Sequence, residues 1–228
     1  MANRSYLYSL SNRPTSYSDR PETISGLSEW AYFVPFSYRV LTSGDPEMGA
    51  SLVSDGFEEE PPERKTRLHA ITGDFETGYA RLQKFLAIVR AVAGSTAPNL
   101  VQAIDETNEF LRAHRNRFVL LETVELDTMT EGTEQALRAC VERELAACRG
   151  AGAAIDALPA DVKEAAAVLK AAATRKQAAP PLDAFFGLVL DDNCDSSRDG
   201  HTEYPLGLYW EEVLYFQLWN REQFEANG

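Results

Sequence analysis

Residues 74–94 read DFETGYARLQKFLAIVRAVAG, and the rest of the chain is most easily understood outward from this stretch. Phe75, Tyr79, Leu82, Phe85, Leu86, Val89 and Val92 recur every three or four residues, the spacing that lines one face of an α-helix. Asp74 is placed to cap the first turn, and Gly94 is placed to stop the last one. A break at Ser95–Pro98 follows, and then Leu100, Ile104, Thr107 and Leu111 mark a second amphipathic helix ending near His114. The two segments form a helical hairpin.

Downstream, the run Phe118–Leu126 (FVLLETVEL) is ambiguous between a strand and a helical turn, because its residues alternate with equally mixed neighbours, and is taken as a helix or an extended linker. Thr133 to about Gly150 is helical by the spacing of Leu137, Cys140, Val141, Leu145 and Cys148. Pro159 opens a further Ala-rich helix running to about Gln177, with Val162, Ala166, Leu169 and Ala173 on one side. Small side chains let such a pair approach closely. Ala184–Leu190 (AFFGLVL) is short and β-favouring, residues 191–203 form a polar loop, and Leu208, Trp210, Val213, Leu214, Leu218 and Phe224 suggest a terminal helix.

Upstream, Ser5–Leu10 reads as a short strand and Asn12–Pro21 as a loop. From Glu22 to Ser43 the spacing of Leu27, Trp30, Ala31, Val34, Tyr38 and Leu41 predicts two short helices meeting at Pro35. Asp55–Pro62 (DGFEEEPP) is an exposed loop. The expected fold is therefore mainly α with a few short β-strands (α+β), with helical hairpins packed in one globular core. Residues 1–228 form a single domain in this reading, and 1–70 and 184–228 pack together around the central helices of 72–177.

The 228 residues include 22 Lys and Arg against 35 Asp and Glu, a formal net charge of −13. That sign repels phosphate backbones and anionic headgroups, so direct binding of nucleic acid or membrane is disfavoured and a basic protein partner is favoured. No stretch resembles a signal peptide or a membrane span, and three cysteines without metal-ligand spacing suit a reducing compartment, so a cytoplasmic location is expected. Cys140 and Cys148 would lie about 12 Å apart along one helix, too far for a disulfide, and read as small buried residues.

No phosphate loop, dinucleotide fingerprint, nucleophile elbow or His-based metal motif is present, so no catalytic residue, metal ligand or cofactor is assigned. The loop Asp191–His201 gathers Asp191, Asn193, Asp195 and Asp199, yet it lacks the glycine and the bidentate glutamate of a calcium loop in either register. It supports only an alternative reading, a metal-dependent hydrolase or transferase. Acidic clusters stand out instead. Asp55, Glu58, Glu59, Glu60 and Glu63 form one, Glu122, Glu125, Asp127, Glu131 and Glu134 a second, and Asp191, Asp192, Asp195, Asp199 and Glu203 a third. As a docking surface, the candidate partner-binding residues are Glu58, Glu59, Glu60, Asp191, Asp192, Asp195 and Asp199, with Tyr209 and Trp210 as aromatic anchors.

The opening MANRSYLYS, the segment SGLSEWAY followed by VPFSYRVL, and the ending YPLGLYWEEVLYFQLWNREQF resemble a family of uncharacterised bacterial proteins. That resemblance implies no catalytic residue. In size, acidity and lack of motif the chain also resembles the immunity proteins that bacteria keep beside secreted antibacterial toxins, including toxins of the Rhs type. This second likeness implies a non-enzymatic inhibitor whose acidic side chains meet the basic cleft of a toxin domain.

Overall fold

The computed structural model describes residues 3–57, 59–176, 178–196 and 204–227. Five strands, β1 (Arg4–Leu10), β2 (Ile24–Ala31), β3 (Glu47–Ala50), β4 (His69–Asp74) and β5 (Phe118–Glu122), form one antiparallel sheet in the order β2-β1-β5-β4-β3. The helices are α1 (Phe36–Thr42), α2 (Phe75–Ala93), α3 (Pro98–Ala113), α4 (Val124–Asp127), α5 (Glu134–Ala157), α6 (Val162–Thr174) and α7 (Arg221–Asn227). The class is mixed α+β, as the sequence implies.

The helix α2 forms where its apolar stripe predicts. The Asp74 carboxylate accepts the Thr77 N–H at 2.8 Å, and Gly94 closes the last turn with a positive φ of 56°. Its buried face packs against α1, α3, α5, α6 and the sheet. Close approach at one end depends on glycine: a Cβ on Gly78 would stand 1.8 Å from the Leu41 carbonyl oxygen, and one on Gly73 would stand 2.2 Å from that of Thr42. The C-terminal end of α1 is thereby pressed onto the β4–α2 junction.

Expectations for local structure fail at three places before the C-terminal segment, each for a readable reason. Residues 24–31 are a strand rather than a helix, with Leu27 the extra residue of a bulge between the pairs Leu7–Ser28 and Tyr8–Gly26; only the half after Pro35 is helical. The run Phe118–Leu126 is neither a helix throughout nor a linker. Its first five residues are the central strand of the sheet, buried on both faces, which removes the alternation that marks a half-buried strand. Ala184–Leu190 contains no strand: a 3-10 turn at Leu182–Phe185 drives the Phe185 ring into the helical core, 6.2 Å from Phe85 and 5.8 Å from Phe36.

The sheet is covered on both sides. Leu7, Ile71, Val119 and Leu121 face the helices, while Tyr6, Tyr8, Leu10, Ala70 and Leu120 face away from them. That second face is covered by Leu52, Leu214 and Leu218. Both cysteines of α5 are buried and unpaired, and so is Cys194.

Candidate partner-binding face

The predicted terminal helix over residues 204–224 is instead an irregular, extended strap from Tyr204 to Asn220, with helix only at Arg221–Asn227. Pro205 and Gly207 break any helix at its start. Gly207 has φ +75°, and a Cβ there would meet a Pro35 side-chain carbon at 2.2 Å. The carbonyls of Pro205 and Leu206 accept the N–H groups of Phe36 and Ser37 at 3.0 Å each, supplying partners to the otherwise orphaned first turn of α1.

Further along, the strap is held by side chains as much as by backbone. The Asp195 carboxylate accepts the N–H groups of Gly207 (2.7 Å) and Leu208 (2.8 Å), and burial pushes this carboxyl above its ordinary range. The Leu27 carbonyl accepts the Glu211 N–H at 3.0 Å, and the Glu29 carboxylate accepts that of Tyr215 at 2.5 Å. The Tyr8 hydroxyl donates to the Phe216 carbonyl at 2.7 Å. The Trp210 indole N–H donates to the Thr107 hydroxyl of α3 at 2.8 Å.

From Leu208 to Trp219 this extended path turns its apolar side chains alternately inward and outward. Leu208, Leu214 and Leu218 point into the protein and Trp210 is half-buried. Tyr209, Val213, Tyr215 and Trp219 are 58%, 75%, 57% and 46% exposed. The Arg4 guanidinium lies over the Tyr215 ring at 4.7 Å, and Glu211 and Glu212 stand between the exposed aromatics. Where the strap passes α3, a cleft of about 410 Å³ opens between Glu106, Glu109, Phe110 and His114 on one side and Tyr209 and Trp210 on the other. Sequence reasoning missed the α3 residues of this cleft, since Glu106 and Glu109 look like any solvated helix face.

The residues singled out from sequence meet different fates. Glu58 and Asp199 lie outside the described residues, as does His201 of the alternative catalytic loop. Glu59 is exposed. Glu60 braces its own loop: its carboxylate accepts the N–H groups of Phe57 (3.1 Å) and Thr66 (2.7 Å) and the Thr66 hydroxyl, which lowers its pKa. Asp191 accepts the Asn193 N–H at 2.8 Å, and Asp192 accepts the Leu100 N–H in the first turn of α3 at 2.9 Å. The loop of Glu59 and Glu60 leads into β4, whereas Asp192 and Asp195 brace α3 and the strap. Tyr209 and Trp210 are thus joined structurally to Asp195, through Gly207 and Leu208.

The second acidic cluster is not one surface. Glu122 is fully buried on the strap side of the sheet, accepting the Leu52 N–H at 2.7 Å and the Ser51 hydroxyl at 2.9 Å, and burial pushes its carboxyl up to about 7. Glu125 accepts the Tyr6 hydroxyl and the Arg4 N–H, at 2.8 and 3.0 Å. Burial also raises Asp127, to about 6. Among the described residues no group of three or more His, Cys, Asp or Glu side chains is arranged to hold a metal ion, and no helix is long and apolar enough to cross a membrane.

A family described as Domain of unknown function (DUF7822) matches residues 11–172. The chain belongs to the DUF7822 family. The DUF7822 match takes in β2 to β5 and α1 to α5 but ends before the strap, so the cleft draws its α3 wall from within the matched residues and its aromatic wall from beyond them. No curated protein and no solved structure matches the chain.

Proposed function

We propose that this DUF7822 protein is a non-enzymatic binding protein, an immunity-type inhibitor that docks on a basic toxin domain in the cytoplasm. The observation that carries the reading is the outward row Tyr209, Val213, Tyr215 and Trp219 on a strap tied to the sheet through the Phe216 carbonyl and the Tyr215 N–H. Large aromatics held at the surface are what buried interface anchors look like before a partner arrives. Glu211 and Glu212 on the strap, with Glu106 and Glu109 on the adjoining helix, surround them with negative charge. Such a surround speeds encounter with a basic protein and rejects acidic ones. The net charge of −13 acts in the same direction at longer range.

The test is capture of interacting protein by the tagged chain in the organism that makes it, at low and high salt, beside a Tyr209→Ala/Trp219→Ala variant. Both side chains are substantially exposed, so the variant keeps its stability to within about 0.5 kcal/mol per site. The expected result is one stoichiometric basic protein, released by salt and lost from the variant. A partner retained equally by the variant, or indifferent to salt, would sink the proposal.

A further inference from the structure

We infer that the cleft between α3 and the strap is a receptor for one arginine side chain presented by the partner; this rests on the docking reading above and makes it more specific. The cleft has the two kinds of wall a guanidinium needs. Trp210 and Phe110 present ring surfaces, with centroids 6.2 Å apart and planes 31° from each other, and the His114 ring stacks on Phe110 at 4.0 Å. Glu106 and Glu109 line the same space from successive turns of α3.

Neither glutamate has an ion-pair partner among the described residues. Glu106 accepts only the neutral Gln102 amide, at 2.7 Å. Two other clefts are served differently: Arg13 is paired with Glu47, and Arg39 with Glu144 at 2.6 Å. Here carboxylates from two turns of α3 and the rings of Phe110, Tyr209 and Trp210 line one cavity. A planar guanidinium can stack on an indole or phenyl face while its edge donates to a carboxylate, which an ammonium cannot do as well. The volume of about 410 Å³ accommodates such a side chain.

Trp210 supplies its own reporter, because its indole N–H is fixed on Thr107 and gives a distinct signal in a nitrogen-labelled spectrum. The full chain would be titrated with N-acetyl-arginine amide and, separately, with the isosteric but uncharged N-acetyl-citrulline amide. Arginine should move the Trp210 signal saturably and citrulline should not. In Glu106→Gln/Glu109→Gln, whose two sites are exposed, affinity should fall by about fivefold, the scale of exposed charge pairs, with the rest of the spectrum unchanged. An equal response to citrulline, an undiminished response in the double variant, or no response to arginine would each overturn the assignment. If those failures came while Tyr209→Ala/Trp219→Ala still lost a basic partner, the cleft alone would be misassigned. Arginine binding with unaltered capture by that aromatic variant would instead remove the docking reading and leave the cleft standing.

Discussion

The two faces of the sheet are covered by opposite means. On one side, Leu7, Ile71, Val119 and Leu121 meet α1, α2 and α5, whose backbones satisfy most of their hydrogen bonds within each helix. On the other, Tyr6, Tyr8, Leu10 and Leu120 meet a strap without repeating backbone pairing. That strap therefore draws on side chains from elsewhere: Asp195, Glu29, Tyr8 and Thr107 each tie part of it down. The contrast teaches how to read the acidic residues of this chain. Several that look like solvated surface are the strap's fastenings, and the ones left over on α3 and on the strap itself are the candidates for meeting a partner.

The difference between the faces can be broken from either side. The largest effect belongs to the helical side, where Phe85→Ala removes a fully buried ring that stacks on Phe185 and packs at a tilt against Phe36; a loss of about 4 kcal/mol in denaturant unfolding is expected. A loss below about 1 kcal/mol would mean that the ring cluster does not organise this core.

Next comes a pH effect on the strap side. Below about 4.5 Glu122 is protonated folded and unfolded; as pH rises towards about 7 the unfolded chain gives up this proton while the folded chain keeps it, so folding weakens. The difference between 4.5 and about 7 corresponds to about 3 kcal/mol. Unfolding measured at both ends of that window should show the drop in the natural chain and a smaller one in Glu122→Gln, and parallel slopes would refute the assignment. The smallest effect is Leu214→Ala, which should cost about 2 kcal/mol and should speed hydrogen exchange at the Glu211 and Tyr215 amides while leaving α2 protected. Uniform loss of protection would show that strap and helices open as one unit.

What the sequence displays of this fold follows from where periodicity survives burial. The stripe and caps of α2 and the Pro98 start of α3 are legible because one face contrasts with the other or a turn residue marks the end, and the strand at Ser5–Leu10, although buried on both faces, is marked by the loop residues that follow it. The central strand FVLLE has no such contrast, since Val119 and Leu121 face helices while Leu120 and Glu122 face the buried strap side. Its Glu122 reads as surface charge although it is buried. In the strap, Trp210, Leu214 and Leu218 are spaced by four, a multiple of the strand's period of two and close to one turn of helix, so their positions alone fit both. Pro205 and Gly207 carried the deciding signal. For the candidate site, Tyr209 and Trp210 were visible as aromatics and Glu106 and Glu109 were not, because only the path of the strap brings them to one cleft.

The bond from Tyr8 to the Phe216 carbonyl spans 208 residues of chain. At roughly 5–20 residues per second of synthesis, about 10–40 s separate the appearance of the tyrosine from that of its cover. During that interval a growing chain that has already paired β1 with β2 displays Tyr6, Tyr8 and Leu10 on a sheet that Leu52 covers in part, and the arrival of Leu214 and Leu218 completes the cover.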